Sequence, residues 1–313
     1  MENLKPRIEF YRQRTFSEKM NVTFDFIREN WKPLLKYSFY LILPVCLIQT
    51  FAMNKFLGFY LNGLANLRSN TPFNNSMVGF MGNYGVFMLC LLIGSAILTG
   101  MVFALMQTYA VREKRLKDVT LNDFKELLVK NAWKYFRLIF ALVFLFMLFS
   151  FIMGVLAALT SFLSLLITLP VFFAAIFCLI PLMMVFPAYI FERDLTFMEA
   201  LRKGWKLGFA TLGGIIALMI VLFFISSVIQ TITSLPWTAL LIVNLFFSLT
   251  SESVMNQSVI YKFLLYIFGL IQTFGTYISS IIGIIGLAFQ YFHAREKIEG
   301  VAIESNISNF DNF

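Results

Sequence analysis

Six long apolar runs alternate with polar, charged connections along this chain. They lie near residues 34–57, 85–108, 137–160, 165–190, 208–230 and 259–291. Each predicts a transmembrane helix, because about 20 helical residues cross roughly 30 Å of hydrocarbon. The sixth is longer than a crossing needs and is expected to tilt or to project beyond the bilayer. The third and fourth are separated only by a few residues around Ser161 and Ser164, the pattern of a tight helical hairpin. The fourth holds Pro170, Pro181 and Pro187, which remove backbone donors and predict kinks. A seventh apolar stretch, Trp237 to about Thr250 after Pro236, is too short to cross and reads as an interfacial or re-entrant helix. The first thirty or so residues are polar, and the first apolar run is too long for a cleavable leader, so it is expected to stay as a signal anchor.

The polar connections repeat. Three of them open on Thr-x-x-acid: Thr15 with Glu18, Thr120 with Asp123, Thr196 with Glu199. In that spacing the Thr side chain caps a helix start and the acid caps it in return. An amphipathic stretch follows, with Phe16, Met20, Phe24, Ile27 and Trp31 on one face of the first copy. The second copy has Leu121, Phe124, Leu128 and Ala132 beside Trp133; the third has Phe197, Leu201 and Trp205. Arg28 and Glu29, Lys125 and Lys130, and Arg202 and Lys203 take the opposite faces. This is the pattern of a helix lying in the membrane plane. Each copy then reaches a Trp-Lys pair, Trp31-Lys32, Trp133-Lys134 or Trp205-Lys206, where Trp marks headgroup depth and Lys extends to water. Each hairpin leaves through a tyrosine followed by mixed charge: Tyr109, Tyr189 and Tyr291, read as interface anchors. The expected architecture is all-α and integral to the membrane. It is a single domain over 1–313, with repeats at 15–113, 120–193 and 196–296 and a cytoplasmic tail at 297–313.

Composition agrees with a lipid solvent: 59% of the 313 residues are hydrophobic and 13% charged, against about 25% charged in soluble domains. Twenty-two of the 25 Lys and Arg fall on one side of the predicted spans; only Lys55, Arg68 and Lys262 fall on the other. The positive-inside rule therefore puts both termini and all three Trp-Lys junctions in the cytoplasm. The net charge of +8 is then a collar facing anionic headgroups rather than a nucleic-acid surface. Anionic lipids are the expected partners, with a protein partner or a second copy of the chain left open.

Catalytic chemistry is not evident. His293 is the one histidine, and it stands near Arg295 and Glu296 with no paired nucleophile. Cys46, Cys90 and Cys178 lie inside apolar runs without zinc spacing. No cofactor or metal is expected, and an enzyme is not. Gly213-Gly214 lacks the Lys of a phosphate loop and reads as close helix packing. Ionisable residues avoid the centres of the spans, which argues against an ion-coupled transporter. The in-span amides, Gln107, Gln230 and Gln272 foremost, fit interhelical hydrogen bonds or the lining of a polar path. Small residues recur at four-residue spacing: Ala96, Gly100 and Ala104; Ser150, Gly154 and Ala158; Gly275, Ser279 and Gly283. These stripes fit contacts within one bundle or a dimer face. The outer segment from Leu61 to Tyr84 is rich in Asn, Gly and Ser and reads as a solvated loop.

The layout of amphipathic helix, Trp-Lys junction and hairpin, with the ending Phe289-Gln-Tyr-Phe-His-Ala-Arg-Glu-Lys-Ile-Glu-Gly300, resembles a group of bacterial polytopic membrane proteins of unknown function. Their relatives include the membrane domain of some glycerophosphodiester phosphodiesterases. The resemblance implies a cytoplasmic-membrane location and carries over no catalytic residue. Two functional readings follow. The first is a non-enzymatic scaffold that organises lipids or partners through its cytoplasmic helices. The second is a passive carrier or channel for an amphiphilic substrate.

Overall fold

The computed structural model of the chain describes residues 6–69, 77–159, 161–192, 194–249 and 258–301. Residues 70–76 of the outer loop, the end of the seventh apolar stretch at Thr250, Arg193 and tail residues 302–313 lie outside this description. The described residues form eight helices and no strand. In chain order these are α1 (Phe16–Ser69), α2 (Met77–Val111), α3 (Leu121–Leu159) and α4 (Ser161–Leu182), then α5 (Val185–Phe191), α6 (Phe197–Ala210), α7 (Leu212–Leu249) and α8 (Val259–Glu299). Six helical stretches are long and apolar enough to cross a membrane, one for each run read from the sequence. The outer segment is less of a loop than its composition suggests, since α1 continues to Ser69 and α2 begins at Met77.

Three local features shape these helices. In α1 the in-plane segment and the span are one helix, bent at Asn30 (φ −117°, ψ 20°). Pro33 follows the bend, and its ring cannot sit against a straight helix's preceding turn. The Asn30 side chain donates to Phe26 O at 2.9 Å, occupying a carbonyl that the bend loosens. The fourth run is broken between Leu182 and Val185, just after Pro181, giving α4 and α5. The third feature corrects the expectation for Pro236. Far from starting a separate interfacial helix, it sits inside α7, which runs on to Leu249. Its neighbours are apolar, so ending the helix there would expose several amides to hydrocarbon, whereas continuing forfeits one bond.

The helices pack as two compact units whose boundaries fall inside helices. The first comprises residues 1–31, 99–223 and 282–313. Its interior is aromatic. Phe10, on the segment before α1, stacks on Phe292 (5.0 Å between ring centroids) and on Tyr109 (5.9 Å), while Phe26 meets Tyr109 edge-on at 5.2 Å. A second apolar group joins Leu138, Val185, Tyr189 and Ala200. Here α6 lies against the α4–α5 break through two glycines one turn apart. A Cβ on Gly204 would stand 2.5 Å from Val185 Cα, and one on Gly208 would stand 2.7 Å from Pro181 Cα. Gly100 likewise presses α2 on the Ala132 backbone of α3.

The second unit comprises residues 32–98 and 224–281. Buried polar groups tie it together: Tyr277 donates to Gln49 Oε1 at 2.7 Å, Thr50 meets Thr273 at 3.2 Å, and Trp237 Nε1 donates to Asn54 Oδ1 at 3.2 Å. Cys46 and Cys90 are buried free thiols. Gly275 packs on Thr233. The stripe on α3 behaves differently. Ser150 is exposed, and a Cβ added to Gly154 would meet no atom of another element within 4 Å, so these two positions are uncovered among the described residues.

Candidate functional site

The three Thr-x-x-acid sequences each open a helix. Thr15 N–H donates to Glu18 Oε2 at 2.7 Å, Thr120 N–H to Asp123 Oδ2 at 2.7 Å, and Thr196 N–H to Glu199 Oε2 at 2.8 Å. The Thr196 hydroxyl also accepts from Glu199 N–H, completing a reciprocal cap. The Thr196 amide, with help from its hydroxyl, holds the Glu199 carboxyl below the usual carboxylate range. The helices that follow leave their tryptophans at the surface: Trp31 is 51% exposed, Trp133 58% and Trp205 40%. Phe16, Leu121, Met198 and Phe209 are exposed beside them.

Each of these helices also buries a second face, which hydrophobic periodicity marks only at Phe124, and there as part of the membrane side. In α1 it is Lys19, Val22, Thr23, Phe26 and Asn30; in α3 it is Phe124, Asn131, Lys134 and Leu138; in α6 it is Ala200, Gly204, Leu207 and Gly208. Lys32 and Lys206 are exposed, but Lys134 does not extend to water. Its ammonium donates to Tyr189 O at 2.5 Å and lies 4.6 Å from the Tyr189 ring centroid. A carbonyl and a π-face together replace the lost hydration.

The exit tyrosines differ from the interface-anchor reading in the same way. Tyr109 and Tyr291 are fully buried and Tyr189 is 6% exposed. The Tyr109 hydroxyl accepts from Ile8 N–H at 3.3 Å and donates to Glu29 at 3.3 Å. Tyr291 donates to Glu192 Oε1 at 2.5 Å. Aromatic rings surround both, and a buried phenol needs a partner for its hydroxyl. The segments that follow Tyr189 and Tyr291 therefore converge on Glu192. Lys203 Nζ lies 2.8 Å from Glu192 Oε2 and 2.9 Å from Glu299 Oε1. Arg295 Nε lies 3.6 Å from Glu192 and 2.9 Å from Glu299. Two carboxylates and two cations thus close a ring, and Arg295 donates a further bond to the Tyr11 hydroxyl at 3.1 Å. Burial pushes the Tyr11 phenol up, and burial draws the Arg14 guanidinium down.

Glu113, from the first exit, is exposed, and His293 Nδ1 accepts from Arg14 N–H at 2.9 Å instead of facing a nucleophile. Among the described residues no three His, Cys, Asp or Glu side chains group closely enough to hold a metal. The amides divide between the units. In the first, Gln107 accepts from Asn131 at 2.9 Å and donates to Ile190 O at 3.2 Å, an interhelical clasp. In the second, Gln230 is exposed and donates to Thr276 at 3.4 Å, while Gln272 Oε1 is buried without a partner among the described residues. Gly213 and Gly214 differ: nothing lies within 4 Å of a Cβ placed on Gly213, whereas one on Gly214 would stand 3.1 Å from Gln290 Nε2 and 3.4 Å from Lys19 Nζ, a close approach. No family model, curated protein or solved structure matches the chain.

Proposed function

We propose that this is a non-enzymatic multi-pass protein of the bacterial cytoplasmic membrane that organises anionic lipids, and partners held near them, through three cytoplasmic in-plane helices. In this reading the chain is three diverged copies of an in-plane helix feeding a transmembrane hairpin, with both termini in the cytoplasm. The carrying observation is the pairing of exposed Trp31, Trp133 and Trp205 with exposed cations: Lys32 on α1, Lys125 and Lys130 on α3, and Arg202 and Lys206 on α6. An apolar side placed at headgroup depth and a cationic side attract acidic lipid together. The Glu192 ring supports a structural role for the exits, because its charges are spent on one another.

The test is quenching of tryptophan fluorescence in vesicles containing brominated phosphatidylglycerol or, separately, brominated phosphatidylcholine at the same fraction. Stronger quenching by the anionic lipid, lost on combined substitution of Lys125, Lys130 and Arg202 by Gln, supports the proposal. Equal quenching by the two lipids sinks it.

A further inference from the structure

A cavity of about 260 Å³ opens in the first unit where α6 gives way to α7. Lys19, Gln290, His293 and Lys297 give it polar side chains, the backbone of residues 211–214 lines another side, and Phe209 adds an apolar edge. Among the described residues no carboxylate lines it. At Thr211 the backbone leaves helical geometry (φ −126°, ψ 23°) and α7 begins afresh. The first turn of α7 therefore opens on the cavity, with the partial positive charge of a helix N-terminus.

A helix start alone would mean little. The second observation is Gln290. It is 1% exposed, and its Nε2 has no hydrogen-bond partner among the described residues. Leaving a buried amide donor unmade is costly. Its orientation is fixed by Lys19, whose Nζ donates to Gln290 Oε1 at 2.7 Å. An ammonium only donates, so the amide cannot flip, and Nε2 is left as the outward group. It is aimed at the cavity: it lies 3.1 Å from the place a Gly214 Cβ would fill, and Lys19 Nζ lies 3.4 Å from the same place. Glycine at 214 keeps that space open. His293 adds a donor. Because its Nδ1 accepts from Arg14 N–H, a neutral ring carries its proton on Nε2.

We infer that this cavity is a binding site for a phosphate-bearing anion, held by Lys19, Lys297, Gln290 Nε2 and the first turn of α7. The donors approach from several sides, which suits the oxygens of a phosphate. A planar carboxylate is better matched by an arginine fork, and among the described residues no arginine lines the cavity. The ligand's source is either a lipid headgroup, with the Phe209 side of the wall beside its glycerol, or free phosphate. The site goes beyond the lipid-organising collar, since it is a single built pocket and not a diffuse surface.

The test is calorimetric titration of the full chain in maltoside micelles with inorganic phosphate and, separately, with dioctanoyl phosphatidic acid. Saturable uptake of one equivalent is expected. Gly214→Ala fills the cavity with all charges kept, and Gln290→Glu hands Lys19 a carboxylate in place of the amide. Both should weaken binding at least tenfold while retaining the melting temperature. Lys262→Gln, which removes one positive charge from an exposed site in the second unit, should leave it within twofold. Binding of phosphatidic acid alone identifies a headgroup; equal binding of inorganic phosphate identifies the free ion. No saturable binding of either probe, or binding indifferent to both cavity variants, overturns the inference. Because micelles carry no anionic bilayer, this result stands apart from the quenching of the collar tryptophans.

Discussion

Gly208→Ala should be among the more damaging single-methyl changes in the protein. The new Cβ would stand 2.7 Å from Pro181 Cα and closer still to Pro181 O. Ordinary carbon–carbon contact is about 3.5–4.0 Å, so one helix must move by roughly 1 Å. Nothing soft can absorb this, because the obstacle is the backbone and ring of a proline at a helix break. Overpacking of this kind costs about 1–3 kcal/mol. Gly204→Ala meets Val185 N at 2.6 Å and Cα at 2.5 Å, and should cost a similar amount. Both clashes push α6 away from the same α4–α5 elbow, so one displacement relieves both. The double variant should therefore cost less than the sum of the singles, a coupling of about 0.5 kcal/mol or more. Gly154→Ala is the control: no atom lies within 4 Å of its Cβ position, so it should gain about 0.5–1 kcal/mol from helix propensity. A thiol-reactive dye that reports exposure of buried Cys46 and Cys90 would follow melting in detergent. Drops of about 2 °C or more per kcal/mol are expected for the two α6 variants. Melting temperatures for Gly208→Ala at or above wild type would refute the packing argument, and strict additivity would refute the shared displacement.

Three further outcomes are expected. Lys134→Met should lower stability by about 1.5–3 kcal/mol, because Tyr189 O loses a charged donor in a buried site, while Lys206→Met at the surface should stay within about 0.5 kcal/mol; the same melting assay separates them. Tyr291→Phe should cost about 1–2 kcal/mol, because Glu192 keeps Lys203 and Arg295 when the phenol hydroxyl goes. Glu199 titrates below its ordinary value of 4.5, so its capping contribution is present above that value and fades as pH falls through the lowered one. Melting temperatures over that acidic window should fall less for Glu199→Gln than for wild type.

What could be read from the chain was whatever depends on near neighbours or on composition. Spans follow from mean hydropathy, and the Thr-x-x-acid caps close over three residues, so both are visible in a short window. The interior polar groups are not. Lys134 reads as one of three equivalent junction lysines, and only contact with Tyr189 separates it from Lys32 and Lys206. The exit tyrosines carry the same composition whether they anchor at a headgroup or sit beneath it. Tyr291 is buried because Glu192 and Arg295 meet around it, 99 residues and four residues away along the chain. Gly204-x-x-x-Gly208 is a small-residue pair, but it lies in a charged amphipathic helix, outside the spans where such pairs are sought. Pro236 misled because proline signals a break in water, where freed amides are hydrated, and less so in lipid.

The long reach of these polar contacts also orders the events of synthesis. The Lys134 ammonium reaches the carbonyl of a residue made 55 positions later, and Lys19 waits 271 positions for Gln290. Until those partners emerge from the ribosome, each lysine must remain hydrated at the membrane surface. The Lys19 end of α1 therefore cannot take up its buried place until the part of α8 that carries Gln290 has been made.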